Sequence, residues 1–145
     1  MPTFHPKPRR KRGFLIGAAH EIPVAIAVLL AGCAVAPHQS DLTALHGRFF
    51  YVPDTGDAWC KAPKVGRFAG DCEDFAFSMQ AQLGGVVWHV VLHDGRHHAV
   101  LLLDGWVYDN LHGRPVRRAV YPAKAWLVVM TPPAAICPAP AWFSI

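Results

Sequence analysis

An α+β fold, with one helix laid on an antiparallel sheet, follows from three observations along the chain. Cys72, Phe75, Ala76, Met79 and Leu83 recur at the spacing of one helical face. Two Asp-Gly pairs, Asp94-Gly95 and Asp104-Gly105, separate runs rich in Val, Leu and aromatic residues, the pattern of successive hairpins. The 145 residues are 52% apolar, enough for one packed core.

The elements can be read in order. DLTALHG, residues 41–47, is a short helix stopped by Gly47, and RFFYV, residues 48–52, a strand closed by the turn Pro53-Asp54-Thr55-Gly56. Residues 57–70, with Trp59, Cys60 and Pro63, read as a loop. Asp71 is a good N-cap for the main helix, and Glu73 and Asp74 place negative charge where the helix dipole is positive. Gly84-Gly85 end that helix after about 12 residues. VVWHVVLH (86–93), HHAVLLL (97–103) and WVYDNL (106–111) form three antiparallel strands. PVRRAVY (115–121) supplies a fourth and AWLVVM (125–130) a fifth, and the Pro-rich end from 131 to 145 runs over the surface.

Ahead of the domain lies a leader. Lys7, Arg9, Arg10, Lys11 and Arg12 precede any acid, and IPVAIAVLLAGC, residues 22–33, is too short an apolar run for a span but suits a signal-peptide core. It ends in Leu30-Ala31-Gly32-Cys33, which resembles the bacterial lipobox. Residues 1–32 therefore read as a lipoprotein-type signal peptide, with Cys33 lipidated and a membrane reached through that anchor. A plain signal peptide or an uncleaved anchor is the simpler alternative. Residues 33–47 then serve as a tether and short helix, and 48–145 as the folded domain. The net charge of +4 belongs to the leader, where five basic residues outweigh Glu21; from Cys33 onward the signs balance, and no nucleic-acid partner is implied.

Outside the cytosol, thiols tend to pair. With Cys33 given to lipid, Cys60, Cys72 and Cys137 remain, an odd number. A Cys60–Cys137 bridge leaves Cys72 free; a bridge from Cys72 to either partner makes it structural.

A helix N-terminus lowers a thiol's pKa, which favours Cys72 as a nucleophile, whereas Asp71, Glu73 and Asp74 oppose the thiolate. A nearby imidazolium would restore the balance. Register selects the histidine. A two-residue Asp104-Gly105 loop pairs Leu103 with Trp106 and, counting back, Val100 with Asp109 and His98 with Leu111. His98 and Asp109 are then diagonal neighbours on one sheet face, about 7–8 Å apart in backbone spacing. His97 has the opposite parity, and a bulge or a three-residue loop would exchange the two. The result is a Cys-His-Asp arrangement in which Cys72 attacks, His98 carries the proton and Asp109 orients the ring.

Trp59 with Pro63, then GDCEDFA at 70–76, then HHAVLLLDGWVYDNL at 97–111 resemble, in order and wording, the motifs of the bacterial transglutaminase-like cysteine peptidases. The resemblance implies a transglutaminase-like, papain-like core, in which the helix carrying the cysteine packs on a sheet carrying His and Asp. It implies the same triad, Cys72, His98 before Ala-Val, and Asp109 before Asn-Leu, and a protein or peptide substrate. Members include periplasmic proteases that cut surface adhesins, and some bind calcium through the acids flanking the nucleophile, here Asp71 and Glu73. No other cofactor is implied. The chain departs from the pattern in having only two glycines between helix and strand, and Tyr108 where Leu is usual.

The expected protein is an exported, lipid-anchored cysteine hydrolase on the periplasmic side of a bacterial membrane. Two alternatives remain: a non-catalytic periplasmic lipoprotein binding module with Cys72 oxidised, and a peptidoglycan amidase using the same chemistry.

Overall fold

A computed structural model describes residues 36–53, 56 and 58–140. The expected signal peptide over 1–32 and the lipidation at Cys33 lie outside the described residues.

The first helix, α1, spans Gln39–His46, and the amide of Gly47 closes it on Thr43 O at 3.0 Å. Leu42 and Leu45 are fully buried in the same core as Phe68, Phe75 and Phe77. This helix is thus built into the core, ahead of residue 48 where the sequence opens the domain.

Strand β1, Phe49–Tyr51, runs parallel to β2, Phe68–Gly70, with Phe49 opposite Phe68 and Tyr51 opposite Gly70. The span 57–70 reads as a loop in sequence, and β2 lies inside it. Three residues are too few to show a period of two, and what makes them a strand is non-local: pairing with β1 and the complete burial of Phe68.

The next helix, α2, spans Cys72–Leu83 and opens on a capping box. Asp71 Oδ1 accepts the Glu73 amide at 3.1 Å, and Asp74 Oδ2 accepts the Asp71 amide at 3.0 Å. At the other end the Gly84 amide bonds Gln80 O at 2.8 Å, and Gly84 and Gly85 both take positive φ.

Five strands follow: β3 (Val86–Leu92), β4 (His97–Leu103), β5 (Trp106–Tyr108), β6 (Val116–Arg117) and β7 (Ala123–Val129). They form an antiparallel sheet in the order β6-β5-β4-β3-β7. The Asp104-Gly105 turn has φ of 48° and 77°, the double positive pair that a tight hairpin needs. Its register is Leu103 with Trp106, Leu102 with Val107 and Leu101 with Tyr108. Two elements are shorter than their sequence signals. β5 stops at Tyr108, because residues 109–112 fold into a turn held by the Asp109 side chain. β6 keeps two residues before a 3-10 turn at Arg118–Val120.

Alternation along the central strand β4 divides the core. Ala99 and Leu101 join Val87 and Tyr108 under α2, while Val100 joins Val90, Val107 and Tyr121 on the opposite face. A disulfide between the buried Cys60 and Cys137 ties the approach to α2 to the C-terminal segment across 77 residues. Cys72 is free.

Candidate active site

Cys72 is half-buried on the first turn of α2. Its thiol donates to Glu73 Oε2 at 2.9 Å, and the Ala99 backbone also reaches the sulfur. Burial pushes the Cys72 thiol well above the ordinary range; Glu73, as hydrogen-bond acceptor and as negative charge, pushes it further, and only the Ala99 contact pulls it down among the leading influences. The resting sulfur is therefore a protonated thiol. Burial and the acidic first turn together oppose the thiolate that a helix N-terminus would favour.

His98 and Asp109 are almost wholly buried, at 6% and 1% exposed. The His98 Nε2–H donates to Asp109 Oδ2 at 3.2 Å. Three more groups donate to the same carboxylate: the Tyr121 hydroxyl to Oδ2 at 2.5 Å, the His112 amide to Oδ1 at 2.9 Å, and the His112 Nδ1–H to Oδ1 at 3.0 Å. Burial alone would raise the Asp109 carboxyl, but the His98 and Tyr121 hydrogen bonds and the neighbouring imidazoles hold it below the usual carboxylate range. An ionised Asp109 only accepts, so Nε2 of His98 carries the proton and Nδ1 is left as the basic nitrogen.

The turn bearing Asp109 is fixed from a second side. His46 of α1 donates through Nε2 to the carbonyls of Asp109 and His112, at 3.1 and 3.2 Å.

Cys72 and His98 line one open cleft of about 490 Å³, together with Tyr51, Arg96, His97, Asn110 and Leu111. Their meeting is a matter of position along the strand. The body of α2 packs on the Ala99 and Leu101 face, and His98 alternates with these, on the Val100 face. The first turn of α2, however, reaches the start of β4, where the sulfur meets the Ala99 backbone one residue from His98. Register in the sequence places His98 and Asp109 on one face, and their side chains do bond. His97 has the other parity, and its Nδ1 lies 2.9 Å from His89 Nε2 across the β3–β4 pair.

Tyr121 and His46 carry no signal of their own in the sequence. His112 could be anticipated, since an Asp three residues before an amide often caps it through the side chain. Tyr121 and His46 arrive from distant elements, and only the tertiary fold brings them to Asp109.

Asp71, Cys72 and Glu73 place their ligand atoms within 4.8 Å of one another. As a calcium site the set falls short. It offers two carboxylates, one holding the helix cap and the other the thiol proton, where calcium takes roughly six to eight oxygens.

No protein-family model matches the chain, and no curated protein matches it. Among solved structures it is similar to Legionella pneumophila LapG, at 19% identity and a TM-score of 0.45, over 65% of this chain and 64% of that one. The chain thus spans a little under two thirds of that structure's length. At this distance the likeness lends no weight to an activity, which has to stand on the site itself.

Proposed function

We propose that the chain is an exported cysteine hydrolase of the transglutaminase-like class, lipid-anchored through Cys33 on the periplasmic side of a bacterial membrane and acting on amide bonds of a protein or peptide. One observation carries this reading: a free thiol opens a helix in the same cleft as a buried histidine whose Nε2 is held by a buried, ionised aspartate. The ordered motifs around residues 59–111 support it.

The chemistry runs as follows. Cys72 leaves Glu73 and passes its proton to Nδ1 of His98, and Asp109 stabilises the imidazolium through Nε2. The sulfur attacks the substrate carbonyl carbon, and the backbone N–H of Cys72 is one donor for the oxygen that becomes negative. His98 returns the proton to the leaving nitrogen as the C–N bond breaks, leaving a thioester on Cys72. Water, deprotonated by His98, attacks that thioester and releases the acid and the free thiol. Another amine in place of water would give transfer.

Substitution of Cys72 by Ala or Ser should abolish hydrolysis of a peptide library and labelling by an iodoacetamide probe. Amide hydrolysis at an unchanged rate in the variant would overturn the role. The thiol's bond to Glu73 favours a second reading, a binding module on the same fold with an inert sulfur. Slow labelling that rises only in alkali, with no amide turnover, is the result that selects it. A wall-degrading amidase shares the triad, and cleavage of peptidoglycan in place of peptides is what separates it.

A further inference from the structure

The cleft that holds Cys72 and His98 continues beyond them. Arg96 and Leu111 line it, and they also line a second depression of about 340 Å³, walled further by Leu92, His93, Asp94, His112 and Pro122. The two residues form a saddle between the depressions. Arg96 Nε donates to Asp94 Oδ2 at 2.8 Å, with both side chains more than half exposed, at 65% and 51%. Among the described residues the guanidinium makes no other side-chain hydrogen bond, so its two terminal nitrogens keep their donors for a ligand. That planar fork matches a carboxylate in two parallel bonds.

The Cys72 end of the cleft has the opposite sign. Asp71 and Glu73 flank the sulfur and already disfavour a negative charge there. Negative charge is therefore concentrated beside Cys72, whereas at the saddle the Arg96 guanidinium stands against Asp94 and still presents its terminal N–H donors. An acidic side chain is repelled from the first end and held at the second.

We infer that Arg96 is a specificity-determining residue that binds an Asp or Glu side chain of an extended peptide substrate. That acidic position is displaced from the amide facing Cys72, and the next part of the peptide passes over Leu111 into the second depression. The assignment rests on Cys72 as the nucleophile, since that fixes where the scissile amide lies. Asp94 cancels part of the Arg96 charge and solvent screens the rest, so the preference is about two- to fivefold and weakens with added salt.

The test reads binding apart from turnover. The full chain with Cys72→Ala is titrated with fluorescent peptides of one neutral scaffold, amidated at the C-terminus so that only a side chain supplies the carboxylate, with Gln, Glu or Lys placed at successive positions. At one position Glu should bind about two- to fivefold tighter than Gln, and Lys weaker. Arg96→Gln should erase that difference, and Arg96→Glu should turn it towards Lys, with thermal melts matched to the parent. Equal binding of the three peptides at every position, no binding at all, or a Glu preference that survives Arg96→Gln would overturn the assignment. Wild-type chain that binds the Glu peptide through Arg96 but cleaves nothing would count against the hydrolase reading alone. Cleavage indifferent to Arg96 would count against this one alone.

Discussion

The hydroxyl of Tyr121, twelve residues beyond Asp109, donates to its carboxylate at 2.5 Å, on the same Oδ2 that receives the His98 ring. That oxygen also lies 3.1 Å from His112 Nδ1, so it gathers three donors in a buried setting, and the tyrosine fixes the carboxylate that fixes the imidazole. Tyr121→Phe removes a hydrogen bond to a charged group, a loss of about 1.5–3 kcal/mol. The Asp109 carboxyl is held low by these donors, so its contribution to stability is present above the ordinary aspartate pKa and is lost as pH falls through the folded-state value. In the variant that acid limb should move to higher pH. Thermal melts between neutral and acid pH measure it, and superimposable melts of variant and parent would show the hydroxyl to be idle.

Glu73 sets the state of the thiol. Burial and then Glu73 raise Cys72, which makes iodoacetamide labelling slow near neutrality and faster in alkali. Glu73→Gln deletes the charge and should speed labelling near pH 7 on the order of tenfold, with the midpoint moved to lower pH. The same shift has a stability sign. A thiol raised on folding contributes stability below the ordinary thiol pKa and loses it as pH rises towards the folded value, so Cys72→Ala should flatten the alkaline limb. A labelling profile identical in Glu73→Gln and parent would refute this control of the sulfur.

What was legible in the sequence was local or nearly so. The helix from Cys72 to Leu83 announced itself by its period, its Asp71 cap and its closing glycines, because all three act within a few residues. The His98–Asp109 bond was legible because a two-residue turn transmits register strictly over the few residues between Leu103 and His98. Strand β2 was not legible, since Phe68–Gly70 owes its state to β1 and to burial. The crowding of donors around Asp109 was equally hidden: His46 comes from 63 residues away, and nothing near it in the chain asks for a partner. The flanking acids were visible, but not that one would accept the Cys72 thiol proton.

The bridge between Cys60 and Cys137 closes a separation of 77 residues and leaves Cys72 as the free thiol among the described residues. Loop closure of that length is worth roughly 4 kcal/mol in the chain-entropy account. Cys60→Ala with Cys137→Ala should therefore lower the melting temperature markedly, and alkylation without reductant should modify Cys72 while peptide mapping recovers the other two joined. The approach to α2 should loosen most, because the Cys60 amide bonds Asp74 Oδ1 at 2.7 Å. Unchanged melting in the double variant would remove the bridge from the account of stability.

Gly70 stands two residues before Cys72 for a reason of space. A Cβ built there would lie 2.6 Å from the Asp74 Cβ and would also strike its carboxylate. Asp74 cannot step aside, since its two oxygens hold the amides of Asp71 and Cys60. Gly70→Ala should cost about 1–3 kcal/mol as an overpacked site. It should also disturb the cap that places Cys72, changing the labelling rate as well as the melting temperature. Gly113→Ala is the matched control: an added Cβ meets nothing within 4 Å, and the smaller unfolded-state entropy should leave stability equal or slightly improved. If both variants melt alike, the close approach of Gly70 to Asp74 does not order the start of the helix.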